Sequence, residues 1–230
     1  MSRFSRFFLL LFVVAAIICM IGEYADYRPA IWASKPLLMP ALLLWLWSLA
    51  PKRDGLFRAL ALSLLFATVG DVSLLLAGRD TGGGAGWFEA GIGAFLIAQC
   101  AYIVAFRSMA DDKIQVWRDS PLLVAALTAY VAVLMRWVLP SAPAALQIPV
   151  LVYGVSLYGA ALMALNLRGM PGAGTVFTGV VLFVLSDSLI ALNRFVRPLP
   201  IAGVWIMATY IVGQFLIAKG ALRLLALKGR

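Results

Sequence analysis

Two aspartates stand where carboxylates are expensive. Asp71 falls in the stretch FATVGDVSLLL and Asp187 in FVLSDSLIAL, each the sole acid of a long apolar run. A carboxylate carried into a bilayer needs a wet cavity or a polar partner, so it marks either a functional site or a hydrogen-bonded clip between helices. Confined as a pair, two carboxyls repel as anions, which favours one proton shared between them and places an acid beside a base. That arrangement suits acid-base hydrolysis, in which one carboxyl gives a proton and the other orients water, as paired acids do in glycoside hydrolysis.

The spacing around the acids repeats. Asp71 and Asp187 are 116 positions apart, Gln99 and Gln214 are 115 apart, and Pro36 and Pro149 are 113 apart. This reads as a four-plus-four internal repeat whose copies keep the same orientation, because each holds an even number of spans. Chance similarity between Leu-rich helices is the alternative. Residues three or four apart share a helix face, so Thr68 flanks Asp71, Tyr102 lies near Gln99 and Tyr210 lies near Gln214. Ser73, Ser186 and Ser188 lack a histidine or a G-x-S-x-G elbow to activate them, so they are not read as nucleophiles. Lys35 with Arg28 is placed to receive a lipid phosphate, or else to snorkel as ordinary boundary cations.

The elements that must position these groups are membrane spans. Of 230 residues, 63% are hydrophobic and 13% charged, which leaves no material for a large water-facing domain. The expected fold is all-α: a single transmembrane domain, 1–230, forming a polytopic bundle of about eight helices. Its apolar runs are Phe7 to Ile21, Leu37 to Leu49, Ala59 to Ala77, Phe88 to Phe106, Leu122 to Leu139, Ile148 to Leu167, Thr175 to Leu192 and Ile201 to Ala218. Breaks fall at Pro29, Pro51, Gly82 to Gly84, Pro140 with Pro143, Gly169 to Gly174, and Pro198 with Pro200. The second run is short unless Ser34 to Pro36 belongs to it, which would bring Lys35 to the bilayer edge. The first run has no convincing cleavage site after it and is read as a retained span. Asp71 lies 13 residues beyond Arg58 and Asp187 lies 12 beyond Thr175, roughly 20 and 18 Å along their helices, so both acids sit in the outer half.

A net charge of +9 raises nucleic acid as a partner, but the basic residues are scattered over loops and ends, so membrane lipids are the expected partner and nucleic acid is not. With the N-terminus in the cytoplasm, 13 of the 19 Lys and Arg fall inside, and both termini are expected there. Trp32, Trp45, Trp47, Trp87, Trp117, Trp137 and Trp205 read as interface anchors. Cys19 and Cys100 lie in apolar runs and read as core thiols. The absence of histidine argues against a structural zinc cluster and excludes His-held haem; no metal or other cofactor is implied.

Five stretches resemble the YhhN family of integral membrane proteins, whose animal members are lysoplasmalogenases. They are KPLLMP at Lys35 to Pro40, GDVSLLL from Gly70, FLIAQCAYIVAF from Phe95, VLFVLSDSLIALNRF from Val181 and TYIVGQFLIA from Thr209. The resemblance implies an eight-span, metal-independent enzyme that cleaves the vinyl-ether bond of lysoplasmenyl phospholipids to a fatty aldehyde and a glycerophospho head group. The family's two membrane acids map onto Asp71 and Asp187. Gln99 departs from the pattern, since relatives commonly place a histidine there.

On this reading Asp187 is assigned as proton donor, because Ser186 and Ser188 offer it local hydrogen bonds, and Asp71 as the water-orienting base. Lys35, Gln99, Tyr153, Tyr210 and Gln214 are the candidate substrate contacts, toward phosphate or glycerol hydroxyl. The expected location is a bacterial inner membrane, with the lysophospholipid reaching the acids from the outer leaflet and no obligate protein partner evident. Two other readings use the same residues: a proton-coupled transporter or flippase of a lipid-like amphiphile, and a non-catalytic lipid-binding protein whose acids only join helices.

Overall fold

The computed structural model describes residues 2–78, 84–109 and 116–228. Arg79, Lys113, Arg230 and the first two glycines of the Gly82 to Gly84 break lie outside them. The described residues form α1 (Arg3–Tyr24), α2 (Arg28–Leu49), α3 (Gly55–Ala77), α4 (Gly84–Arg107), a short α5 (Val116–Asp119), α6 (Pro121–Ser141), α7 (Ala144–Leu165), α8 (Ala173–Ala191), a π turn (Leu192–Val196) and α9 (Ala202–Lys228). All but α5 and the isolated π turn are long and apolar enough to cross a membrane, which makes eight such helices among the described residues.

The helix ends explain where the sequence reading shifts. Pro29 does not break the chain but sits in the first turn of α2, where its missing N–H costs nothing. Ser34 to Pro36 therefore belongs to the second helix, and Lys35 lies two turns inside it. Ser2 and Asp54 cap α1 and α3 by accepting from the backbone N–H groups of Ser5 and Phe57. The last helix runs ten residues past Ala218, because LRLLALK is made of strong helix formers and turns Lys219 and Arg223 outward while Leu224 and Leu225 stay buried.

The tightest pairings are α3 with α4 and α8 with α9. Gly179 and Gly213 bring α8 and α9 into backbone contact: a Cβ on Gly179 would lie 2.7 Å from the Gly213 carbonyl oxygen. By contrast, Gly93 faces open space and brings no helix close. One apolar core runs through α1, α2, α3, α4, α7, α8 and α9. Trp45 belongs to that core, against the Phe215 ring at 5.5 Å, rather than to an interface. Cys19 is buried as expected, whereas Cys100 is exposed: the helical turn that carries Gln99 inward points its neighbour outward.

Candidate active site

Asp71 and Asp187 sit in corresponding places, on α3 and α8, and both are buried. Each carboxyl is met by a tyrosine from another helix. The Tyr210 hydroxyl of α9 donates to Asp71 Oδ2 at 2.7 Å, and the Tyr153 hydroxyl of α7 donates to Asp187 Oδ2.

Their surroundings differ. Asp187 and Tyr153 lie on the wall of a small cavity of about 50 Å³ that is otherwise apolar, with Leu74, Phe88, Ile92, Phe95, Val150 and Phe195 among its lining. Asp71 is not on that wall. Beside it, Phe95 packs over Gly70, where a Cβ would lie 2.5 Å from the ring; any side chain at 70 would push Phe95 away. The Phe95, Phe183 and Tyr210 rings then close on one another with centroids 5.7 to 6.2 Å apart.

The cavity lies at one end of the bundle, formed by the last turns of α3 and α8 and the early turns of α4 and α7. The π turn completes it. It places Phe195 on the wall, edge-on to Phe88 at 5.8 Å, while the Arg194 guanidinium stacks over Phe88 and Asn193 Oδ1 accepts the Leu199 N–H. An extra residue per turn re-aims side chains in this way, which is why such turns gather at functional sites.

The remaining expected contacts fall into three positions. Lys35 is half-buried on α2, off the cavity wall, and acts electrostatically on Asp71. Arg28, its expected companion, instead donates to the Gly78 carbonyl at the end of α3. Gln99 and Gln214 are fully buried one turn deeper than Phe95 and Tyr210, and the Tyr102 hydroxyl donates to Gln214 Oε1 at 2.5 Å.

The small hydroxyls do not serve the acids. Thr68 donates back to the Leu64 carbonyl and Ser186 to the Ile206 carbonyl. Ser188 donates to the Val184 carbonyl and accepts from Tyr130. The reason first given for making Asp187 the donor therefore falls, since neighbours in sequence at 186 and 188 point to other helix faces than residue 187. Phe95 was missed altogether. The 115-residue offset that pairs Gln99 with Gln214 also pairs Phe95 with Tyr210, and following it one turn back would have found the residue.

Residues 30–221 match the YhhN family. The chain belongs to that family. This YhhN protein is 31% identical over 188 residues to lysoplasmalogenase TMEM86B of Homo sapiens, covering 80% of the chain and 73% of the relative. It is 30% identical over 226 residues to lysoplasmalogenase TMEM86B of Rattus norvegicus, covering 94% and 84%. Lysoplasmalogenase TMEM86A of Homo sapiens is 31% identical over 202 residues, covering 80% and 75%. No solved structure matches the YhhN chain. Family and helices together make it a multi-pass membrane protein, and the relatives it resembles are enzymes.

Proposed function

We propose that this YhhN protein is a lysoplasmalogenase-type hydrolase, a single transmembrane domain over 1–230 in a bacterial inner membrane with both termini in the cytoplasm. Its substrate is a lysoplasmenyl phospholipid, and its products are a fatty aldehyde and a glycerophospho head group. One observation carries the reading: of two buried carboxyls at corresponding places, each met by a tyrosine hydroxyl, Asp187 faces an apolar cavity. The hydrocarbon walls suit an alkenyl chain, and the single polar patch suits the ether carbons at its end.

Asp187 is the donor because it is the acid on the cavity wall. It gives its proton to the β-carbon of the vinyl ether, leaving a cation shared by the α-carbon and the ether oxygen. A water oxygen bonds to the α-carbon while one of its protons passes to the Asp71 carboxylate. The hemiacetal hydroxyl then returns a proton to Asp187 as the bond from carbon to the glycerol oxygen breaks, and Asp71 hands its proton to the departing oxygen. Both acids end as they began. Under the orientation set by the basic residues, the cavity end of the bundle faces the outer leaflet. Lys35, half-buried on α2, is the proposed phosphate contact.

Purified protein in detergent, given lysoplasmenyl-choline, should release aldehyde, and Asp71→Asn and Asp187→Asn should each remove most of it. Full turnover by both variants would exclude paired-acid chemistry. Movement of intact lipid across vesicles without aldehyde would favour a transporter or flippase instead.

A further inference from the structure

Below the carboxyls lies a second set of polar side chains that the scheme above leaves idle. Gln99 of α4, Gln214 of α9 and Ser63 of α3 are fully buried. Among the described residues, Gln99 Nε2 and Oε1, Gln214 Nε2 and Ser63 Oγ have no hydrogen-bond partner. Burying such an atom without a partner is costly, so several of them in a hydrocarbon setting call for an occupant that both donates and accepts.

These groups neighbour the tyrosines that hold both acids. Gln99 approaches the Tyr153 hydroxyl and Ser63 approaches that of Tyr102, neither in hydrogen-bonding geometry. Tyr102 follows Gln99 by three residues and bonds Gln214; Tyr210 precedes Gln214 by four and bonds Asp71. Hydrogen bonds thus join Asp187 to Tyr153, Tyr102 to Gln214 and Asp71 to Tyr210, and helical spacing sets Gln99 on the face of Tyr102 and Gln214 on the face of Tyr210.

We propose that the Gln99 and Gln214 amides form a water site that holds the hydrolytic water beneath the two carboxyls. This inference rests on the hydrolase reading and supplies what that reading requires, since the bilayer around the bundle holds none. A buried water takes two to four polar partners. The carbonyl and amino groups of Gln99, the amino group of Gln214 and the Ser63 hydroxyl provide both donors and acceptors. Neutral amides hold the water without ionising it. When the cation forms at the α-carbon, the water's oxygen bonds there and its proton goes to Asp71. Gln99 and Gln214 are thus positioning residues that act through the water.

Gln99→Met and Gln214→Met test the site, because methionine keeps the volume and removes the polarity. Gln99→Met should melt no lower than the parent, whereas Gln214→Met, which also takes away the acceptor of the buried Tyr102 hydroxyl, should melt lower; each should lower kcat by about tenfold with KM within about twofold. Unchanged kcat in both, or a rise in KM alone, would overturn the proposal. An arm independent of turnover uses protein labelled with 15N only at its four glutamines. The Gln99 and Gln214 side-chain amides should show cross-peaks to long-lived water that vanish in the matching Met variant, with exposed Gln147 as the surface reference. Absence of water cross-peaks at both amides overturns the site. If the cross-peaks appear but the parent releases no aldehyde, the water site stands and the hydrolase reading falls.

Discussion

The pairs α3 with α4 and α8 with α9 carry the same chemistry at the same spacing, and one ring separates them. Four residues before its glutamine, α9 has Tyr210 where α4 has Phe95. The two rings meet edge to face with centroids 6.1 Å apart, between the acids. Tyr210 gives Asp71 a hydroxyl and holds it off the cavity wall. Phe95 has none to give, so Asp187 takes its hydroxyl from Tyr153 of α7, a helix outside either pair, and keeps the apolar cavity on its other side. Two nearly equivalent acids are thereby made unequal: one lines the cavity, and the other lies behind its wall and exchanges protons with it through water.

That inequality can be broken most directly at the acids. Asp187→Asn should cost about a thousandfold in aldehyde release, the range of a lost general acid, and Asp71→Asn about a hundredfold, because a water-orienting base is more readily bypassed. A larger loss at Asp71 would move the donor role from Asp187 to Asp71, and equal losses would remove the inequality between them. The tyrosines come next. Tyr153→Phe should lower kcat about tenfold, because its hydrogen bond strengthens as Asp187 gives up its proton and becomes charged. Tyr210→Phe, which makes α9 match α4, should cost less, about threefold, since Asp71 still feels Lys35. Comparing kcat for the two variants, with melting temperature as the folding control, decides the order.

How much of this was legible beforehand follows from periodicity. Long apolar runs and proline and glycine breaks announce spans whatever their packing, so eight helices and the matched depth of Asp71 and Asp187 could be read directly. Partners could not. Hydrogen bonds from Tyr153 to Asp187 and from Tyr210 to Asp71 join residues 34 and 139 positions apart, and no local pattern specifies such pairs. Local reasoning instead gave the acids their sequence neighbours, Thr68, Ser186 and Ser188, which turn to backbone carbonyls because a hydroxyl in a helix has one within reach. Trp45 and Cys100 were misplaced for a related reason: when every face of a helix is apolar, composition no longer tells the core face from the lipid face.

The close packing of the two pairs sharpens the comparison at smaller effect. A Cβ at Gly179 would meet backbone, the Gly213 carbonyl and the Ile217 N–H, both at 2.7 Å. Gly179→Ala should therefore part α8 from α9 and cost about 3 kcal/mol. At Gly70 the obstacle is the Phe95 ring, which can rotate, so Gly70→Ala should cost about 1 kcal/mol. The smaller stability loss should nonetheless carry the larger loss of turnover per kcal/mol, because the displaced ring belongs to the cavity wall beside Asp187. Unfolding titrations paired with aldehyde assays separate the two quantities. Proportionate losses at both glycines would mean that Phe95 does not shape the site.

The smallest expected effect lies where the repeat is weakest. Under the four-plus-four pattern α6 corresponds to α1, yet α1 packs closely on α2 whereas α6 touches α7 and the π turn lightly and buries only Val124 and Val138. Its one side-chain hydrogen bond to α8 runs from the Tyr130 hydroxyl to Ser188 Oγ at 2.8 Å. Tyr130→Phe removes that bond without orphaning a buried donor, because Ser188 still donates to the Val184 carbonyl. Hydrogen bonds between membrane helices average about 0.6 kcal/mol, and the variant should lose no more than this. Aldehyde release should be unchanged, since Ser188 serves the helix backbone and not Asp187. A loss of turnover without a fall in melting temperature would show that α6 reaches the reacting acid through Ser188, and would make α6, rather than Tyr153 of α7, the element that sets Asp187 apart from Asp71.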